Sequence, residues 1–307
     1  MSLTDTAASP AKPALPPVET PLRRFVSDYR ESGLAVFAFV LLVAIILLAL
    51  LAPWITQQNP YDLAQVDVLD SRQPPGSKSM PGYTFWLGSD GAGRDLLSAM
   101  IYGLRISLTV GIASGLIAMV LGTIVGLTAA YAGGRTETLI MRLVDLQLSF
   151  PAILLALMLI AVLGKGVDKI IIALVTVQWA YYARTVRGTA LVERRKEYVE
   201  AARCLGLSHA RILFRHILPN CLPPLIVVAT VQAAHAIALE ATLSFLGVGL
   251  PQTEPSLGLL ISNGFEYMLS GKYWISFFPG VALLVTIVTI NLVGDRLRDV
   301  LNPRLQR

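Results

Sequence analysis

Long uncharged apolar runs alternate along this chain with short stretches dense in charge, Pro and Gly. The first run, Leu34–Leu51, holds 18 residues without a charged side chain, within the ~17–25 that cross a bilayer as a helix. Five more apolar runs follow, Ile106–Tyr131, Leu143–Leu163, Ile170–Ala183, Leu222–Leu246 and Ile275–Val293, the second holding Asp145 and the fourth Glu240. Ile170–Ala183 is the shortest, 14 residues with Gln178 inside, and needs Tyr181, Tyr182 and Val186 to reach across. The pattern predicts an all-α polytopic membrane protein with six transmembrane helices.

The polar stretches divide the chain. Residues 1–21, rich in Ala, Pro, Ser and Thr, lack periodic apolar content and are expected to be a disordered tail. No basic n-region or cleavage site accompanies the first apolar run, so a signal peptide is not expected. Residues 22–53 carry the first transmembrane helix, and 54–105 an ordered external loop with Pro60, Pro74, Pro75 and Pro81. At the end of that loop, Leu96, Leu97, Met100, Ile101 and Leu104 repeat at helical spacing and predict a short interfacial helix. Residues 106–298 form the core, interrupted by a basic loop at 184–220, and 299–307 form a C-terminal tail. In the second run, Gly111, Gly115, Gly122 and Gly126 lie three or four residues from one another or from Ala118, a small-residue stripe that lets helix backbones approach closely.

The basic loop ends in Glu197–Asn220, too broken by charge to span a membrane. Its apolar residues suit one sticky face on short helices. Gly206 is expected to break the first, Ser208 to cap the second, and Pro219 to end it. The order Glu200-Ala201-Ala202, then Gly206, then Leu218-Pro219 resembles the EAA loop of permease subunits in ATP-binding-cassette importers. The ending Arg215-His216-Ile217-Leu218-Pro219-Asn220 is similar to the peptide and nickel branch. Leu87-Gly88-Ser89-Asp90, Gly93-Arg94-Asp95 and Gly103-Leu104-Arg105-Ile106-Ser107-Leu108 resemble the C-type permease of dipeptide and oligopeptide importers, as does the ending around Asp295-Arg296-Leu297-Arg298-Asp299. At 249–258 the chain departs from the pattern, with Leu257 where the family has Trp.

The resemblance implies a type I importer permease fold. It implies that Tyr198, Val199, Glu200, Ala201, Ala202, Leu205, Gly206 and Pro219 belong to a coupling helix seated in the groove of a cytoplasmic ATPase, in the helix-in-groove mode. Of these, Tyr198, Val199, Ala201, Ala202 and Leu205 are expected to supply most of the docking surface. Implied partners are a homologous second permease, two ATPase subunits that bind ATP and Mg, and an extracytoplasmic substrate-binding protein. The implied location is a bacterial inner membrane with both termini cytoplasmic. Short peptides are the expected cargo; nickel chelates, glutathione and other small solutes stay open.

Composition agrees with this frame. The chain of 307 residues is 54% hydrophobic and 15% charged, with mean hydropathy +0.63. A net charge of +5 would admit nucleic acid, but its distribution points to topology instead. With six spans and the N-terminus inside, 18 of the 25 Lys and Arg residues fall on the inner side, as the positive-inside rule requires. Cys204 and Cys221 have neither metal-ligand nor disulfide-framework spacing, and no metal site is expected. No Walker A lysine, His-Glu-x-x-His or Gly-x-Ser-x-Gly motif is present, so the chain is not expected to be an enzyme or to bind a cofactor itself. Gln232, His235 and Glu240, polar within the fifth run, are candidates for the substrate pathway. Packing, a hairpin turn or gating is the stronger expectation for Glu240. A channel or secondary transporter is the alternative of a different class, but would show more intramembrane charge and an inverted repeat.

Overall fold

The computed structural model describes residues 20–301. The expected tail over 1–19 and the chain beyond Leu301 lie outside them. An amphipathic helix, α1 (Pro21–Arg30), leads through Ser32, whose hydroxyl accepts from the Ala35 N–H, into α2 (Gly33–Leu50). The expected first span, Leu34–Leu51, is α2; α1 precedes it at an elbow and the single turn α3 (Ala52–Ile55) follows.

The Pro-rich loop is ordered. It holds two 3-10 turns and a two-stranded antiparallel hairpin, β1 (Ser77–Lys78) and β2 (Thr84–Phe85), in the register Ser77 to Phe85. The Leu-Gly-Ser-Asp and Gly-Arg-Asp motifs lock this loop over the helix ends. Buried Asp90 pairs with Arg94 at 2.7 Å, and Arg94 Nη1 donates to the Gln252 carbonyl at 3.2 Å. Gly93 has φ +89°, and a methyl there would lie 2.0 Å from the Asp67 carbonyl oxygen, so only glycine fits. Asp95 caps α4 through the Ser98 N–H at 2.9 Å, and burial raises its carboxyl above the ordinary value.

α4 (Leu96–Ala132) is continuous for 37 residues. The expected interfacial helix is thus the first turns of the second span, not a separate piece. Leu96, Ala99, Met100 and Leu104 are buried in a core with Leu257, Leu260, Trp274 and Ile275, so protein rather than interface takes their apolar face. α5 (Gly134–Ser149) and α6 (Ala152–Leu163) meet at 91°, so the expected third span is broken. Pro151 supplies the cause: it lacks an N–H and forces Phe150 into extended backbone, ψ 138°.

α7 (Val167–Glu193) runs well past the expected Ala183. α8 (Glu197–Cys204) and α9 (His209–Arg211) follow. A π-helical turn, Ile212–Ile217, joins α9 to α10 (Leu218–Phe245). Here too the expectation is corrected: Pro219 does not end a helix. His209–Phe245 forms one 37-residue helical stretch. The Leu218 N–H reaches back to the Leu213 carbonyl, five residues earlier, and this wide turn makes room for the Pro219 ring. α11 (Leu257–Phe265) and α12 (Trp274–Leu301) complete the chain.

Among the described residues four helices are long and apolar enough to cross a membrane, or five if the bent α5–α6 pair counts as one span. The expected count of six would require α7, which is not among them. α4 and α7 pack against each other along much of their length. A methyl on Gly122 would lie 2.5 Å from the Trp179 carbonyl oxygen and one on Gly126 2.5 Å from that of Ala183. Gly111 faces α10 instead, where a methyl would meet Ile237 at 2.7 Å.

Candidate functional site

The segment after α7 is built against the feet of three long helices. Val199 and Ala202, one turn apart on α8, are buried in a cluster with Leu127 and Ala130 of α4, Val186 and Ala190 of α7, and Ile212, Ile217 and Leu225. This corrects the expectation that Val199 and Ala202 offer docking surface: they hold the helix to its own chain. Glu197 and Glu200 sit in the first turn and Arg203 in the last, each matching the helix dipole. Gly206, at φ +71°, closes α8 in a Schellman motif: its N–H donates to the Arg203 carbonyl at 2.9 Å, and the Leu207 N–H to that of Ala202 at 3.2 Å. Ser208 caps the next helix through the Arg211 N–H at 3.4 Å, as its position predicts.

A polar cluster not anticipated from sequence fixes α8 from the other side. The Tyr198 hydroxyl donates to Glu193 Oε2 at 2.7 Å, and Lys196 pairs with Glu193 Oε1 at 2.7 Å. Asn220 Nδ2 donates to the Tyr198 oxygen at 3.2 Å and to the His216 carbonyl at 2.7 Å. One hydroxyl therefore connects the end of α7 to the start of α10. Its residues span 27 positions of sequence, and nothing in their spacing pairs them, which is why the pattern alone did not show the contacts. Arg194 Nη1 donates to the Ala130 carbonyl at 2.7 Å, with its guanidinium over the Tyr131 ring, and the Tyr131 hydroxyl meets His209 Nδ1.

Burial and the Glu193 hydrogen bond push the Tyr198 hydroxyl up to about 12 from 10.0. Because folding favours the protonated form, this contact contributes fully below pH 10 and is lost as pH rises toward 12. Tyr198→Phe leaves buried Glu193 short of a donor, at a cost of about 1–3 kcal/mol. Amide hydrogen exchange in α8 is expected to accelerate about tenfold while α4 and α7 stay at the wild-type rate. Unchanged exchange in α8 would mean that Val199 and Ala202 hold the helix alone.

The outer face of α8 is left to solvent. Glu200, Ala201, Arg203 and Leu205 are exposed, Leu205 to 78%, and Phe214 on the following turn to 61%. Glu200 forms no ion pair within the chain among the described residues. Exposed apolar side chains rimmed by charge on a firmly held helix are the form of a docking surface.

Above this segment α5, α7, α10 and α12 enclose an open cavity of about 880 Å3. Gln232 and His235 line it from α10, Tyr181, Arg184 and Thr185 from α7, and Asp295 and Arg298 from α12. Arg184 is held by Asp145 at 2.5 Å. Gln178 Nε2 donates to the Gln232 carbonyl at 3.2 Å. Glu240 is elsewhere. It is fully buried, accepting from Ser107 Oγ of α4 and from Ser244 Oγ, each at 2.8 Å, and does not line the cavity. The structure therefore joins Gln232 to His235 and separates Glu240 from both.

Two family models match the chain: the binding-protein-dependent transport system inner membrane component over residues 118–307, and the N-terminal transmembrane domain of oligopeptide transport permease C over 20–75. A Brucella suis biovar 1 (strain 1330) protein, provisionally named a peptide transport system permease, is 44% identical over 267 residues, covering 87% of this chain and 86% of its own. The oligopeptide transport system permease protein OppC of Bacillus subtilis (strain 168) is 36% identical over 279 residues, covering 91% of this chain and 88% of its own. Among solved structures, an inward-facing form of the MetNI methionine ABC transporter superposes with TM-score 0.56 at 22% identity, covering 67% of this chain and 98% of that one. That likeness shows a shared fold. With its EAA segment on α8 and a family model over most of its length, the chain belongs to the inner membrane components of binding-protein-dependent transport systems.

Proposed function

We propose that this chain is a permease subunit of an ATP-driven importer, supplying half of the pathway by which short peptides cross a bacterial inner membrane. The observation that carries the reading is the coupling segment: α8 is fixed to α4, α7 and α10 on one face and presents Leu205 and Ala201 on the other. A helix held this way transmits movement rather than absorbing it. The docking partner is a cytoplasmic ATPase, which binds ATP and Mg; this chain binds neither and hydrolyses nothing. A homologous second permease completes the pathway, a second ATPase completes the motor, and an extracytoplasmic binding protein delivers cargo. Both termini are cytoplasmic, in line with the inner bias of Lys and Arg. ATP closes the ATPase pair, the coupling helices move together, and the pathway opens outward.

Peptide cargo is supported by the names of the relatives and by the cavity that Gln232 and His235 line. The test is purification of the full chain, tagged at its C-terminus, from native membranes in mild detergent, with and without a non-hydrolysable ATP analogue. Co-purification of a second permease and ATPase subunits, and uptake of labelled di- or oligopeptides by the reconstituted complex, is the expected result. Recovery of this chain alone, from membranes whose other complexes survive, would overturn it.

A further inference from the structure

A second cavity, of about 450 Å3, lies in the elbow between α1 and α2, against α12. Its walls include Phe25, Tyr29, Phe39, Val40, Val293 and Leu297, and Arg30 stands at its edge. α1 is fastened beside it: the Tyr29 hydroxyl donates to the Ala35 carbonyl at 3.3 Å, and Arg296 reaches the Asp28 carbonyl and Glu31. Glu31, an acidic side chain at this elbow, is thereby engaged by Arg296. Arg23, Arg24 and Arg30 are exposed, and none forms an ion pair within the chain among the described residues.

We propose that this cavity holds an acyl chain of one anionic phospholipid, whose phosphate is gripped by Arg30 together with Arg23 and Arg24. Charge complementarity selects this occupant. Free phosphate would satisfy the guanidiniums and leave the aromatic walls bare. A zwitterionic lipid would fill the walls and bring a cation toward three cations already unpaired. An anionic lipid meets both, and its headgroup lies at the depth where an amphipathic helix rests in the bilayer. Guanidinium forks suit phosphate oxygens in a way that lysine ammoniums do not. The bound lipid would fasten α1 to the α2–α12 contact and so hold the first span against the core.

The test uses the complex purified from native membranes, exchanged into nanodiscs of phosphatidylcholine with or without phosphatidylglycerol, then examined by native mass spectrometry. Retention of one phosphatidylglycerol per copy of this chain is expected, with no comparable retention of phosphatidylcholine or of added inorganic phosphate. R23Q/R24Q/R30Q is expected to weaken retention about a hundredfold. Val40→Trp, which fills the cavity without changing charge, is expected to weaken it as well. Equal retention of the two lipids, or retention unmoved by both variants, would overturn the site. Efficient cross-linking of a cysteine at Val40 to the second permease would likewise overturn it, because protein would then occupy the cavity.

Discussion

Replacing Leu205 with Glu is expected to abolish ATP-driven uptake and ATPase co-purification while leaving the permease folded. Leu205 is 78% exposed, so its loss costs the isolated chain no more than about 0.5 kcal/mol. On docking, the wild-type side chain leaves water, worth about 1.5–3 kcal/mol. A carboxylate forced into the same apolar groove without a partner costs about 2–5 kcal/mol more. Together these weaken the complex by roughly several hundredfold to several hundred thousandfold. Val199→Glu makes the opposite comparison. Val199 is fully buried among the helix feet, so a charge there is expected to unfold the coupling segment and lower the melting temperature before any partner is added. If Leu205→Glu retained its ATPase and Val199→Glu melted normally, the two faces of α8 would be assigned the wrong way round.

The second large effect is expected along the small-residue stripe. Gly122→Ala places a methyl 2.5 Å from both the Trp179 carbonyl oxygen and Tyr182 Cβ. Neither backbone oxygen nor Cβ can swing aside, so α4 and α7 must separate, at about 1–3 kcal/mol. Gly115→Ala is the control: its nearest neighbour is the Tyr182 hydroxyl at 3.7 Å, an ordinary contact. Melting in detergent, followed by loss of the monodisperse peak, should drop clearly for Gly122→Ala and stay at the wild-type value for Gly115→Ala. Equal behaviour would mean that spacing in the sequence, rather than the contact each glycine makes, sets the outcome.

The apolar runs announced α2, α4, α10 and α12, because eighteen or more consecutive uncharged residues have few other uses. Charge located the coupling segment, and its glycine and serine gave the ends of its short helices through local backbone rules. Prolines were harder to read. Pro151 breaks a run and Pro219 does not, although each lies near a helix boundary. The difference is the π-helical turn before Pro219, a register shift that leaves no mark in hydropathy. α7 was read short because Arg184 and Arg187 look like the edge of the membrane; they are instead paired with Asp145 and Glu137 of α5 within a helix that continues. Which face of α8 turns inward was also hidden, since Val199 and Leu205 are both aliphatic and only the neighbouring helices tell them apart. Packing was the stronger expectation for Glu240, but its partner Ser107, 133 residues away, could not be named from the sequence.

The unbroken stretch from His209 to Phe245 has a mechanical meaning. It packs tightly on α12 where Thr230 Oγ1 would meet a methyl on Gly294 at 2.5 Å. That contact is a fulcrum, with arms of roughly 30 Å below and 20 Å above at 1.5 Å per residue. The lower arm passes the Tyr198–Asn220 clasp about 15 Å below that contact, and the upper arm carries Gln232, His235 and the Glu240 anchor. Were the stretch to pivot there as a rigid body, a push at the foot would swing the head the opposite way with a gain of about two thirds. The wide turn at 212–217, together with Pro223 and Pro224, which donate no backbone hydrogen bond, weakens the ladder of this stretch on the side of the coupling segment.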